Sequence, residues 1–234
     1  MTSLLSLRHV SKRFGAIVVS ENLDLDVPTG QALGVIGPNG AGKTTLFGVI
    51  SGAVAPDSGR VIFDGQDITK LPPARRCRLG VSRSYQIPQP FGGMSVFENL
   101  LVAARLGAGL PQREADQSCL EILERCGLSR VANRKAHALT LLERKRLELA
   151  RALAGKPRLL LLDEVAGGLT ETECRSLVDL VREVKAAGVT IVWIEHIVHA
   201  LLAVVDRLVV LHGGALIADG EPQSVIRKIG RAHV

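Results

Sequence analysis

Gly37-Pro38-Asn39-Gly40-Ala41-Gly42-Lys43-Thr44 is the stretch on which the reading of this chain turns. It matches the pattern G-x-x-x-x-G-K-S/T at every fixed position. The spacing has a physical cause. Glycines let the backbone curl until successive N–H groups point inward at phosphate oxygens. A helix beginning near Lys43 adds the positive end of its dipole. Lys43 then reaches the β- and γ-phosphates of ATP, Thr44 offers its hydroxyl to Mg²⁺, and Thr45 stands ready for a further phosphate contact. The context agrees, because Ala32–Ile36 is a short apolar strand and Lys43–Ser51 reads as a helix.

Downstream, Leu159-Leu160-Leu161-Leu162-Asp163-Glu164 reads as a buried strand ending in two carboxylates. At the carboxyl edge of a parallel sheet such groups face the ligand crevice. Asp163 is expected to hold Mg²⁺ through water, and Glu164 to polarise the attacking water as general base.

The segments around these motifs alternate. Leu4–Val10, Ile17–Val27 and Gly59–Asp64 read as strands separated by turn residues. From about residue 88 to 138 strand-like runs cease, and Ser95–Leu106 and Arg113–Cys126 show helical spacing, broken at Gly107–Pro111. Then come a helix at Thr140–Ala154, the Leu159–Leu162 strand, a helix at Glu171–Ala187, a strand at Thr190–Ile194, a helix at Ile197–Val204 and a strand at Leu208–Leu211. The segment after Gly220 reads as a short polar tail. Strands alternating with helices predict an α/β fold, a mostly parallel sheet covered on both faces.

Composition narrows the class. The 234 residues are 47% hydrophobic and 22% charged, enough to bury a core and too apolar for wholesale disorder. A net charge of +6 suits phosphate ligands, nucleic acid or an anionic membrane face without choosing among them. One Trp, one Tyr and five Phe leave no base-stacking platform, so no nucleic-acid partner is expected. The basic clusters Arg75-Arg76-Cys77-Arg78 and Arg144-Lys145-Arg146 are expected to be solvated helix faces. Cys77, Cys119, Cys126 and Cys174 form no C-x-x-C pair and read as core or surface thiols in a reducing compartment. No signal-peptide pattern is present, and no apolar run nears the roughly 18–20 residues that span a bilayer. The chain is expected to be soluble or peripherally bound to something that spans.

In order and spacing these motifs resemble the ATP-binding subunits of ABC transporters, over nearly the whole chain. The resemblance implies a P-loop NTPase core with an N-terminal antiparallel β subdomain and a helical insertion. Residues 1–234 would then be one domain, with 1–87 and 139–234 forming the RecA-like core and its β subdomain, and 88–138 the helical subdomain. Gln86, in Ser84-Tyr85-Gln86, falls at the family's Q-loop glutamine, which touches Mg²⁺ or the lytic water and relays to the permease. His196, in Ile194-Glu195-His196, falls at the switch histidine that contacts the γ-phosphate. Phe14 lies where an aromatic residue stacks on adenine. His199 follows His196 by three residues, but no third ligand accompanies it and no metal pair is expected. Ser84–Asn99, Arg144–Leu153 and Asp163–Leu169 look like the branched-chain and hydrophobic amino-acid uptake group. The lipopolysaccharide-export and urea-uptake ATPases are similar too. The implied partners are integral-membrane permease subunits, a second ATPase subunit and an extracytoplasmic substrate-binding protein. The implied location is cytoplasmic, peripheral on the inner face of the cell membrane. The apolar residues Ile87, Phe91, Met94, Val96 and Phe97 either meet the permease or cover the insertion's own small core.

The chain departs from the family at its signature. Leu-Ser-Gly-Gly-Gln is Leu139-Thr140-Leu141-Leu142-Glu143 here. Thr140 keeps a hydroxyl for the phosphate held by a partner subunit, and Thr140-x-x-Glu143 reads as a helix capping box. Leu141 and Leu142 add bulk, and Glu143 adds a negative charge near a polyanion, worth about 1 kcal/mol in water and several at lower dielectric. The usual D-loop aspartate is Thr170. Two readings stay open: an ATPase engine with altered geometry, and an ATP-binding regulatory module with weak or no hydrolysis. A soluble relative acting on DNA or ribosomes is a third, but the paired cassettes or long coiled-coil insertions common in such proteins are lacking.

Overall fold

The computed structural model describes residues 3–232, so Met1, Thr2, His233 and Val234 of the expected domain lie outside the described residues. Its strands fall into two sheets. The first joins β1 (Ser3–Phe14), β2 (Ile17–Pro28), β4 (Ser58–Phe63) and β5 (Gln66–Asp67), all antiparallel, in the order β2-β1-β4-β5. The second contains β3 (Ala32–Ile36), β6 (Val81–Arg83), β7 (Leu159–Asp163), β8 (Thr190–Ile194), β9 (Arg207–His212) and β10 (Ala215–Gly220). Their order is β10-β9-β3-β8-β7-β6, parallel throughout except for β10, which pairs antiparallel with β9 at the edge. The helices are α1 (Lys43–Ser51), α2 (Pro73–Arg78), α3 (Val96–Val102), α4 (Gln112–Arg125), α5 (Leu141–Ala154), α6 (Glu171–Ala186), α7 (Val198–Leu202) and α8 (Pro222–Ala232).

The two-residue period of a strand sorts the central sheet between two cores. Leu160, Leu162, Ile191, Trp193, Leu208 and Val210 point into a core shared with α3–α7. Their alternates Leu159, Leu161, Val192, Ile194, Val209 and Leu211 point into a core shared with the N-terminal sheet and α1. Every residue of β7 and β8 is buried, which is why these strands read as unbroken apolar runs rather than as alternating ones. The α/β class and the parallel sheet predicted above are therefore observed.

Several elements differ from the sequence reading. The β9–β10 hairpin turns at Gly213-Gly214, both left-handed (φ 54° and 81°), a pattern that matches the twist of paired strands. The expected polar tail instead forms α8, started by Glu221, whose carboxylate accepts from the N–H groups of Gln223 and Ser224, and anchored by buried Val225. The helix expected over Ser95–Leu106 begins at a Ser95–Glu98 capping box. It then widens into a π-type turn over Ala103–Gly107, where Ala108 N–H reaches the Ala103 carbonyl at 3.1 Å.

The basic clusters are only in part the solvated faces expected of them: Arg75, Arg78 and Arg144 are exposed, while Arg76 and Lys145 are buried. Arg76 is 1% exposed and reaches back across the end of α1. Its guanidinium donates to the carbonyls of Val49 (2.6 Å), Ile50 (2.9 Å), Thr69 (2.8 Å) and Leu71 (2.9 Å). Those carbonyls end a helix and a turn and have no ladder partners of their own. Lys145 is likewise buried, and Arg146 donates to Ser176 Oγ at 2.6 Å. The cysteines are free thiols; burial pushes Cys119 up to about 11 and Cys126 up to about 12. Among the described residues no helix is long and apolar enough to cross a membrane.

Arg76→Met removes the donors to four buried or half-buried carbonyls at once. It is expected to cost about 3 kcal/mol in urea unfolding. A midpoint unchanged from wild type would show that those carbonyls find water instead.

Candidate functional site

The glycine-rich loop is wedged between two backbone segments. A Cβ on Gly37 (φ 156°) would stand 2.1 Å from the Leu211 carbonyl oxygen, and one on Gly42 (φ 100°) 2.2 Å from the Val19 carbonyl oxygen. Both positions therefore need glycine, one for the close approach to β9 and the other for the approach to β2. Gly42 caps α1 and accepts from Leu46 N–H at 2.8 Å. Lys43 is buried inside the curl, its Nζ donating to the carbonyls of Gly37 (2.7 Å) and Pro38 (3.0 Å). Burial holds its pKa below the ordinary lysine value, partly offset by the charges of Glu164 and Asp163.

Three neighbouring strand ends supply the opposite wall. Gln86 follows β6, Glu164 follows β7 and His196 follows β8. Glu164 has φ 47°, a left-handed conformation that costs a non-glycine residue about 1–3 kcal/mol. Its N–H bonds the Ile194 carbonyl at 2.9 Å, and its carbonyl accepts weakly from Lys145 Nζ at 3.4 Å. Its carboxylate is clasped on both oxygens, by Gln86 Nε2 at 2.5 Å and by His196 Nε2 at 2.7 Å.

Glu195, 1% exposed, fixes the loops behind this wall. Its carboxylate accepts from Ala166 N–H (3.1 Å) and His196 N–H (3.0 Å), tying the segment after β7 to the segment after β8. Lys145 on α5 is the nearby buried cation. Burial depresses its pKa, while the charges of Glu195 and Glu164 draw it back up.

Between the loop and this wall lies a cleft of about 510 Å³. Asn39, Gly40, Gly42, Lys43, Thr44, Thr45, Gln86, Glu164 and His196 line it, so residues far apart in sequence meet in one place. Gly37, Pro38 and Ala41 shape the loop without lining the cleft. Asp163 is buried one residue behind Glu164, with Oδ2 paired to Arg83 Nη2 at 2.6 Å. Phe14 stands exposed at the end of β1 with the Lys12 ammonium 5.4 Å from its ring; it is Val19, not Phe14, that lines the cleft. Thr140 caps α5 away from the cleft, and exposed His199 sits on α7.

The unusual signature residues stay at the surface, with Leu141 exposed and Glu143 half-buried. Thr140 and Glu143 close the predicted capping box: the carboxylate takes Thr140 N–H at 2.8 Å and the Thr140 hydroxyl takes Glu143 N–H at 3.3 Å. Arg134 stands 3.6 Å from the same carboxylate. The Leu141 side chain lies over Gly168, where an added Cβ would be 3.4 Å from its Cδ2.

A second cavity, of about 410 Å³, opens among β6, α2 and α5, with Arg83, Tyr85, Gln89, Glu148 and Arg151 on its walls. Burial raises the pKa of Glu148, offset by Arg151 at 2.7 Å and by Gln89 N–H at 3.1 Å. Nearby Ile87, Phe91 and Met94 are exposed, while Val96 is buried in the insertion's core. The apolar stretch thus divides between an exposed set and residues that cover the insertion's own core.

Among the described residues no group of three or more His, Cys, Asp or Glu could hold a metal unaided. A Mg²⁺ ion bound chiefly by phosphate oxygens and water needs only one or two protein oxygens, which the Thr44 hydroxyl and Gln86 amide on the cleft wall fit. The sequence reading assigned no role to Val19, Arg83, Lys145 or Glu195. None of them left a plain local signal: Val81-Ser82-Arg83 is too short and too polar to mark Arg83 as buried.

The family model for ABC transporters matches residues 20–167. The high-affinity branched-chain amino acid transport ATP-binding protein BraF of Pseudomonas aeruginosa is 35% identical over 95% of this chain and 93% of its own length. The lipopolysaccharide export system ATP-binding protein LptB of Acidithiobacillus ferridurans is also 35% identical, over 97% of this chain and 93% of its own. Among solved structures, a nucleotide-free ATP-binding cassette from an ABC transporter superimposes with TM-score 0.88 at 31% identity, covering 98% of this chain and 96% of the other. The ADP conformation of another such cassette gives 0.87 at 31% identity, over 98% and 95%.

Gly42→Ala drives a methyl into the Val19 carbonyl and is expected to weaken binding of a fluorescent ATP analogue by about tenfold or more. Affinity equal to wild type would mean that the loop does not need this approach.

Proposed function

The chain belongs to the ABC transporter family of ATP-binding subunits, and on that premise we propose that it couples hydrolysis of Mg²⁺-ATP to uptake of branched-chain or other hydrophobic amino acids through an integral-membrane permease. The observation that carries the catalytic part is the clasp on Glu164. A carboxylate held by Gln86 and His196 across a cleft from Lys43 has the position a general base needs.

The triphosphate lies along Gly37–Thr45, its charge met by the loop N–H groups, the start of α1 and Lys43. Mg²⁺, when bound, neutralises phosphate charge, with Thr44 and Gln86 as its protein oxygens and Asp163 acting through water. Glu164 takes the proton of the attacking water, and His196 supports the γ-phosphate. Phe14 offers its exposed ring to the adenine. Residues 88–138 form a helical subdomain on a core of 1–87 and 139–234.

A second ATPase subunit presents Thr140 to the nucleotide from the start of its α5, and the permease docks on exposed Ile87, Phe91 and Met94. The working place is the inner face of the membrane, with an extracytoplasmic protein delivering substrate. The amino-acid reading draws on the likeness to BraF and on the Ser84–Asn99 and Arg144–Leu153 stretches. Equal identity to LptB keeps lipopolysaccharide export as the competing cargo, since partners choose the substrate. One observation favours a nucleotide-gated module with weak turnover: Glu143 already occupies the Thr140 N–H that would face phosphate.

Steady-state ATP hydrolysis by the purified chain with Mg²⁺ separates these readings. Glu164→Gln is expected to bind ATP as wild type does and to lose at least about 100-fold in turnover, while Lys43→Ala loses binding. Undiminished hydrolysis in Glu164→Gln would remove Glu164 from the role of base. Tight binding with no turnover in wild type would favour the module.

A further inference from the structure

Arg83 ends β6 with its guanidinium buried against Asp163. The pair is 2.6 Å apart, with side chains only 11% and 6% exposed. The guanidinium also lies between two aromatic rings, 5.6 Å from the centroid of Phe47 and 5.0 Å from that of Tyr85. Its Nε is buried without any hydrogen-bond partner. A buried ion pair repays its desolvation only when the remaining donors are satisfied, and a buried N–H left unpaired is costly. The arrangement is therefore a held position that is incompletely satisfied. Arg83 also lines the second cavity beside Tyr85 and Gln89, so the residue borders open space.

We infer that Arg83 is a resident counter-cation of Asp163, exchanged for hydrated Mg²⁺ when metal and nucleotide enter together. This rests on the reading of the cleft as a Mg²⁺-ATP site. Asp163 is one carboxylate with two suitors, and a guanidinium and a divalent cation a few ångströms apart repel each other strongly in a buried setting. Metal entry releases the head toward the second cavity, and with it the cation–π contact on Tyr85, next to Gln86 and the exposed Ile87. Arg83 is thus a positioning residue: it touches neither nucleotide nor metal, and it sets how readily Asp163 accepts the metal.

The sign of its effect separates this role from a structural one. If Arg83 merely buttressed the site, removing it would loosen Asp163 and weaken metal binding. If it competes, removing it strengthens metal binding.

The test is Mn²⁺ titration at saturating ATP, followed by electron paramagnetic resonance, on the full chain. Arg83→Met is expected to bind Mn²⁺ about tenfold more tightly than wild type, and Arg83→Lys, which keeps the charge, to stay within about twofold. In an Asp163→Asn background, Arg83→Met should have no effect, because the contested carboxylate is gone. Arg83→Gln, neutral yet able to bond Asp163, is expected to follow Arg83→Met and serves if Arg83→Met does not fold. Unchanged or weaker Mn²⁺ affinity in the neutral variants, with ATP still bound, would overturn the inference alone. Failure of wild type to bind ATP at all would remove both the inference and the function beneath it.

Discussion

Glu164 sits in a backbone conformation that its side chain disfavours, and much of the core is arranged to keep it there. Its φ is 47°, and its side chain lines the cleft. Strain of this kind persists only when the surroundings over-determine it. Here the Ile194 carbonyl holds its N–H, Lys145 lies against its carbonyl, and Gln86 and His196 hold its two carboxylate oxygens. Three strand ends that are adjacent in the sheet but distant in sequence thus converge on one side chain. The parallel order β6-β7-β8 makes that possible, because it puts their carboxyl ends on one edge.

The supporting layer is charged, which is unusual for a core. Lys145 and Glu195 are both almost fully buried, one on α5 and the other at the end of β8. Glu195 satisfies backbone N–H groups that the loops after β7 and β8 would otherwise bury unpaired. Because α5 starts at the altered signature and carries Lys145 to Glu164, one rigid helix links the surface that a second subunit would meet to the cleft. On the other side Arg83 links Asp163 to the second cavity, whose walls carry Tyr85 and Gln89.

The fold was legible where periodicity and glycine chemistry speak plainly. The loop Gly37–Thr44, the unbroken apolar runs of β7 and β8, and the capping box at Thr140 all read directly from local residues. Gln86 and His196 were reachable only through family likeness, since a single glutamine or histidine carries no local signal. What stayed hidden depends on pairing across the chain. Arg76 and Lys145 look like surface charges until α1 and Glu195 are brought beside them. Val19 was not singled out at all: its carbonyl lies over Gly42 and it lines the cleft wall, which only the approach of β2 to the loop reveals. The final helix was missed because Val225, Ile226 and Ile229 in a polar stretch make too short a pattern to distinguish from a tail.

The most direct test of the account is the identity of the nucleotide left on the protein after a single loading. Wild type and Glu164→Gln would be incubated with Mg²⁺ and radiolabelled ATP, stripped of free nucleotide, quenched in acid and resolved by chromatography. The account predicts ADP on the wild type and intact ATP on Glu164→Gln at equal occupancy. ATP persisting equally on both, or ADP appearing equally on both, would contradict the claim that the clasped Glu164 carboxylate drives the chemistry.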